Sequence, residues 1–465
     1  MFLRSKTHSF ANAVIATAIT TVALPAHASA APQFSVVHQF TGSHTDGANP
    51  IDGMISDAAG NLYGVTFLGG KSPIPCLVDG SNFQCGTVFK LSPASAGQTQ
   101  YRERPIHFFH GPDGFEPSTQ LVADKSGALY GVTFSDSADL KNCTMLKGFE
   151  CGVVYKLTPP AQGSSKWTES VLYRFSNVGA GFNGGYEPLG GMVIDSSGAL
   201  IGTTHSGGTT NCFDSFAGCG VVFRLTPPTN GGTLWNETIL YTFGSNGAND
   251  AGQPQGSIVA DATGAIYGTT QLGGPNSVGT VWKLSPPGQG QSAWTETILH
   301  GFSGPDGSRP LGPVLIDANG AVYGNTIQGG RGTNCASGGF TCGVTYKLKP
   351  PAAGQTAWTE TILHQFGKPG DGASPYFGLV ADPIGNLFGI TGNGPGNSGV
   401  LGTVFELSPP TGGSHKWTET LLHTFTGGSD GSTPSGALAW SNGALFGMAE
   451  AGGNFLGGTL FKIIP

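Results

Sequence analysis

The chain has 465 residues, of which 78 are Gly and 31 are Pro, and only 11% are charged. So many breakers exclude long helices, because Gly costs ~1 kcal/mol and Pro ~3 kcal/mol inside one. The 38% apolar and 10% aromatic content excludes a disordered chain, and a net charge of −7 excludes the basic face that general nucleic-acid binding needs.

Residues 1–30 are predicted to be a secretory signal. Arg4 and Lys6 precede an apolar stretch from Ala11 to Leu24, and Ala28-Ser29-Ala30 fits A-x-A cleavage, with Ala26-His27-Ala28 as an alternative site. The stretch is shorter than the ~20 residues of a membrane-spanning helix, and no later segment is apolar enough to span. Export to the periplasm or the medium is therefore expected, with no membrane span.

Residues 31–465 repeat one unit. The stretch Trp294-Thr295-Glu296-Thr297-Ile298-Leu299-His300-Gly301-Phe302 has close copies at Trp167, Trp235, Trp358 and Trp417 and a divergent one at Tyr101. A truncated copy, Phe34 to Phe40, opens the mature chain. After each comes a Pro-led apolar run, a D-x-x-G turn (Asp57, Asp124, Asp195, Asp261, Asp317, Asp382), an L-Y-G-V-T-like run and a closing segment. The closing segments begin at Gly86, Gly152, Gly220, Gly279, Gly343, Gly402 and Gly458. Seven units of four strand-sized runs predict a single domain: an all-β, seven-bladed β-propeller of four-stranded antiparallel blades. The chain starts with an outer-strand sequence and ends on a third strand. Phe34–Phe40 is therefore expected to pair with Gly458–Ile463 and close the ring, removing both open edges.

The L-Y-G-V-T…G-G…G-T-V-F-K-L-S-P-P pattern resembles the GloVer (Gloeobacter/Verrucomicrobia) tandem repeat of exported bacterial proteins, over nearly all of 34–465. The resemblance implies export and a propeller-like fold, and it implies no agreed activity. Many members add a C-terminal sorting segment, whereas here Pro465 directly follows the last strand.

Eight cysteines form four close pairs, Cys76/Cys85, Cys143/Cys151, Cys212/Cys219 and Cys335/Cys342, between the second and third strands of units one, two, three and five. Local disulfides are expected, each stabilising by ~2–3 kcal/mol. Six to eight intervening residues are too many for a zinc knuckle, and the pairs lie on different blades. Neither a metal nor a cofactor is expected.

A ligand is expected on the face carrying these loops. Two repeat positions should ring its central opening: the residue before the Pro of strand one (Asn49, Glu116, Glu187, Gln253, Arg309, Ser374, Thr433), and the residue after the V-T step of strand two (Phe67, Phe134, His205, Gln271, Ile327, Gly392, Glu450). They differ from unit to unit inside a nearly constant frame, as an asymmetric site on a symmetric scaffold would. Glu116 and Glu187 on adjacent blades, with His205, are the candidate catalytic set for glycoside hydrolysis or for β-elimination from a uronic acid polymer. Phe115, Tyr186, Arg309, Gln253, Gln271 and Glu450 are the candidate ligand-binding residues.

Two repeated series are read as structural. His38, His107, His300, His364 and His423, alternating with Tyr173 and Tyr241, sit on the outermost strand in a packing or hydrogen-bonding role. Asp46, Asp113, Asp306, Asp371 and Asp430 of D-G-x-x-P form turns. With no catalytic motif in the sequence, the reading is a monomeric exported binding scaffold for an extracellular glycan or cell-surface polymer, or for a surface protein. The alternative is a carbohydrate-active lyase or hydrolase.

Overall fold

The computed structural model describes residues 31–71, 85–94, 101–136, 151–178, 181–210, 217–229, 231–247, 249–331, 342–395, 401–414 and 416–465, together with the backbone of 76–78 and 81–83. Seven antiparallel blades form a ring, each a run of four strands from the axis outward. The predicted propeller is the observed fold. Among the described residues one helical turn, Gly181–Gly184, interrupts the run of strands. The ring closes as expected: Gln33–Gln39 pairs antiparallel with Thr459–Ile464, with Phe34 opposite Ile463 and Gln39 opposite Thr459.

The repeat Gly of each second strand has a packing reason. Gly64, Gly131, Gly202, Gly268, Gly324, Gly389 and Gly447 lie beneath the aromatic ring of the neighbouring third strand, where a Cβ would come within 2.3–2.6 Å of it. Those rings (Phe89, Tyr155, Phe223, Trp282, Tyr346, Phe405 and Phe461) are fully buried. Each meets a Phe from the preceding blade edge-on, at 5.0–5.4 Å between centroids. Burying 150–250 Å² of aromatic surface at each such site places the apolar cores between blades rather than within them. For example, Tyr63, Val65 and Val88 of the first blade pack with Leu121, Leu129 and Tyr155 of the second.

The D-x-x-G turns hold as predicted. In Asp261, Oδ1 accepts from the N–H groups of Thr263 and Ala265 and from the Thr263 hydroxyl, while Oδ2 accepts from the Tyr267 hydroxyl at 2.9 Å. Gly264 takes the left-handed conformation with φ 82°.

Candidate functional site

The innermost strands converge on the axis, and each begins with a strained step. Asn49, Glu116, Glu187, Gln253, Arg309, Ser374 and Thr433 all have φ of 53–59°, a left-handed conformation costing ~1–3 kcal/mol for a residue other than Gly. Inter-blade bonding offsets it. The N–H groups of Asn49, Glu116, Gln253, Arg309 and Ser374 donate to carbonyls just before the third strand of the preceding blade (Gly457, Cys85, Cys219, Val278 and Cys342), at 2.7–3.0 Å. The following Pro then lies on the Gly that opens that same third strand. A Cβ at Gly86, Gly152, Gly220, Gly279, Gly343, Gly402 or Gly458 would approach the Pro ring to 2.3–3.1 Å. The repeat position is thus a clasp between blades.

Beyond the clasp, the chain turns toward the axis and encloses a cavity of about 490 Å³. Ile51 of an innermost strand and Leu189, Leu311, Pro313 and Phe377 of the segments leading into three others form its walls, with Phe67 and Phe134 from the ends of two second strands and the exposed ring of Tyr376. Among the described residues its polar groups are few: Ser118, Gln255, Ser257 and a single carboxyl, Asp52. Asp52 itself has φ 66°. Its Oδ2 accepts the Gln120 N–H at 2.6 Å, yet burial pushes its pKa up to about 6. A largely apolar pocket with a few converging polar groups suits a small ligand or one unit of a larger one.

The model of the Gloeobacter/Verrucomicrobia repeat matches residues 26–216 and 75–335. The chain belongs to the Gloeobacter/Verrucomicrobia repeat family. No curated protein matches its sequence. Among solved structures it is similar to a protein of unknown function from Dyadobacter fermentans, at 14% identity over 83% of this chain and 97% of that one, with a TM-score of 0.40. It is also similar to a gluconolactonase from Xanthomonas campestris, at 13% identity over 59% and 70%, with a TM-score of 0.31. A third is a puromycin hydrolase, at 12% identity over 88% and 51%, with a TM-score of 0.47. Likenesses at this level carry no chemistry across to a member of the Gloeobacter/Verrucomicrobia repeat family.

In this repeat protein the residues predicted for a site are distributed differently from expectation. Glu116 and Glu187 are each 6% exposed and Gln253 7%. Glu116 Oε2 accepts from Ser135 Oγ, and Glu187 Oε2 from Ser206 Oγ, both within their own blades. His205 is brought to Glu187 by the backbone, its N–H donating to the Glu187 carbonyl at 2.9 Å. Phe115 and Tyr186 lie in the cores, 1% and 3% exposed, and the Tyr186 hydroxyl donates to the Ala217 carbonyl. Arg309 belongs to the clasp series. Gln271 and Glu450 are half-buried at the ends of their strands, and burial raises the Glu450 pKa. Of the two positions expected to ring the opening, only Phe67 and Phe134 line the cavity. The other lining residues follow the Pro by one to three places. Asp52 was the signal available in the sequence: it stands where four other units have Gly (Gly190, Gly256, Gly312, Gly436).

The two series read as structural meet at the blade seams. A bulge just before each His or Tyr of the outermost strand re-aims that side chain. Nε2 of His107, His300, His364 and His423 then lies 3.0–3.2 Å from Oδ2 of Asp113, Asp306, Asp371 and Asp430. The Tyr241 hydroxyl reaches Asp250 in the same way. A third series completes the seams: Glu103, Glu169, Glu237, Glu296, Glu360 and Glu419 of the next blade. Burial raises the pKa of each, to about 7 for Glu169, Glu237 and Glu360 and about 8 for Glu103, Glu296 and Glu419. At the seam between the sixth blade and the last, Phe34 stands in place of this Glu and stacks on His423, with centroids 3.6 Å apart.

Among the cysteines, Cys85, Cys151, Cys219 and Cys342 are disulfide-bonded. Cys143, Cys212 and Cys335 lie outside the described residues, as does the predicted signal, and only the backbone of Cys76 is described.

Proposed function

We propose that this protein is an exported binding scaffold that takes one unit of an extracellular glycan or surface polymer into its axial cavity. The observation that carries this reading is the cavity's chemistry: aromatic walls from Phe67, Phe134, Tyr376 and Phe377 around one carboxyl, Asp52. Such rings offer flat apolar faces to the C–H face of a sugar, while Asp52, Gln255 and Ser118 are placed to take hydroxyl or amino groups. A desolvated carboxylate favours a neutral or amino sugar over a uronate. The apolar leader and the disulfide-bonded cysteines support export to an oxidising compartment, with the local pairs Cys76–Cys85, Cys143–Cys151, Cys212–Cys219 and Cys335–Cys342. The burial of Glu116 and Glu187 in their own blades favours binding over turnover.

A panel of neutral, amino and uronic polysaccharides and their oligomers, followed by calorimetry and by release of reducing ends and unsaturated uronate, tests the reading. Binding without turnover, weakened at least about tenfold in Tyr376→Ala and Asp52→Asn, is expected. Binding that ignores both substitutions, or turnover that disappears in Glu187→Gln, overturns it.

A further inference from the structure

The seam that closes the ring differs from the other histidine seams. At those, the imidazole bonds directly to its Asp. At the closing one, His38 Nε2 stands 3.5 Å from Asp46 Oδ1 and 3.7 Å from Glu103 Oε2, beyond the 2.7–3.2 Å of an N–H···O bond. His38 Nε2 and Glu103 Oε1 are buried without a hydrogen-bond partner, and the Glu103 side chain is only 5% exposed. Each seam glutamate leaves its Oε1 unpaired, but among the described residues only this seam also leaves its imidazole nitrogen unpaired; such a buried group costs ~1–3 kcal/mol, unless something sits between the partners.

The spacing says what fits. Donor atoms bound tetrahedrally at 2.0–2.2 Å from one centre stand roughly 3.3–3.6 Å apart, and one imidazole with two carboxylates is a donor set for a divalent transition ion. His38, Asp46 and Glu103 offer three donor atoms all within 4.8 Å of one another; His300, Asp306 and Glu360, and His364, Asp371 and Glu419, do so too, but there the imidazole already bonds to its Asp. Asp46 is already oriented: its Oδ2 accepts from the Thr41 N–H and hydroxyl, and its Oδ1 from the Gly47 N–H. Such outer contacts fix a ligating carboxylate. The His38 side chain is 24% exposed although its Nε2 is buried, which sets the site close to the surface. We infer that His38, Asp46 and Glu103 form a binding site for a divalent transition-metal ion of the zinc class, linking the N-terminal strand to the first blade.

The repeat supplies its own control. Tyr173 and Tyr241 occupy the His38 position in two other blades, so His38→Tyr keeps a side chain the frame accepts while removing the imidazole. The mature chain, carrying no polyhistidine tag and stripped with chelator, is titrated with Zn²⁺ by calorimetry and with Co²⁺ by visible absorption, and its thermal unfolding is followed with and without Zn²⁺. One high-affinity ion per chain is expected, with ligand-field bands for Co²⁺ and a higher unfolding temperature in Zn²⁺. His38→Tyr and Glu103→Gln should each lower affinity at least about 100-fold and abolish the Zn²⁺-dependent rise, while His364→Tyr leaves both unchanged. No saturable binding, or binding retained in His38→Tyr, or an equal loss in His364→Tyr, overturns the assignment.

Discussion

Gly458, which opens the last strand, lies directly against Pro50, which begins the innermost strand of the first blade: a Cβ at 458 would come within 2.6 Å of Pro50 Cδ and 2.5 Å of the Ala449 carbonyl. Six other junctions repeat this contact, but only this one joins the two ends of the chain. Gly458 also has φ 91°. Gly458→Ala therefore combines backbone strain with overpacking and should cost on the order of 3 kcal/mol, read as a fall in the urea midpoint at unchanged slope. An unaltered midpoint would show that the junction yields without cost.

Tyr155 and Tyr346 fill third-strand positions that four other blades give to Phe, and their buried hydroxyls have no hydrogen-bond partner. Removing an unsatisfied buried hydroxyl recovers its desolvation cost. Tyr155→Phe should stabilise the protein by about 1 kcal/mol, contrary to the usual sign of a core substitution. Chemical denaturation checks it, and destabilisation would mean that the hydroxyl has a partner after all.

The seam glutamates give stability a direction with pH. Burial raises the folded-state pKa of Glu237 to about 7, against the hydrogen bond from the Tyr173 hydroxyl, which lowers it. A carboxyl raised in this way contributes stability below its unfolded pKa and loses it as pH rises through the folded value. Glu169 and Glu360 at about 7 and Glu296 and Glu419 at about 8 act in the same sense, and His300 and His423, whose pKa burial lowers, act against them; with more carboxyls than imidazoles shifted, the unfolding temperature should fall from pH 5 to pH 8.5. Glu237→Gln mimics the protonated form. It should match the wild type near pH 5 and exceed it by about 1–2 kcal/mol at pH 8.5, after discounting for partial exposure. Parallel pH profiles for the two proteins would remove the account.

Asp52 should make ligand binding at the axis depend on pH. Its carboxyl ionises around pH 6 in the folded protein, so an amino-bearing sugar should bind more tightly as pH rises from 5 to 7, and Asp52→Asn should flatten that slope. Calorimetry at several pH values distinguishes this from a uniform loss of affinity, which would give Asp52 only a packing role.

The ring, the outermost position of the histidines and the closure by residues 33–39 were legible because each follows from a pattern recurring along the chain. The cavity was not. The left-handed step before each Pro gives that residue's N–H to the neighbouring blade, so Glu116 and Glu187 are buried and Asp52, three residues after Asn49, reaches the axis instead. The seams were half legible: the His and Asp series were each visible, but Glu103 approaches His38 across a blade boundary and 65 positions of chain, a separation that no local pattern records.

Composite assembly of the final blade sets the order of folding. Residues 33–39 leave the ribosome about 420 positions before their partners, 459–464. Until then the earliest segment has no neighbour to zip onto, so the disc stays an unlocked arc throughout synthesis. The slowest contact to form, by sequence separation, is also the one that makes the structure circular.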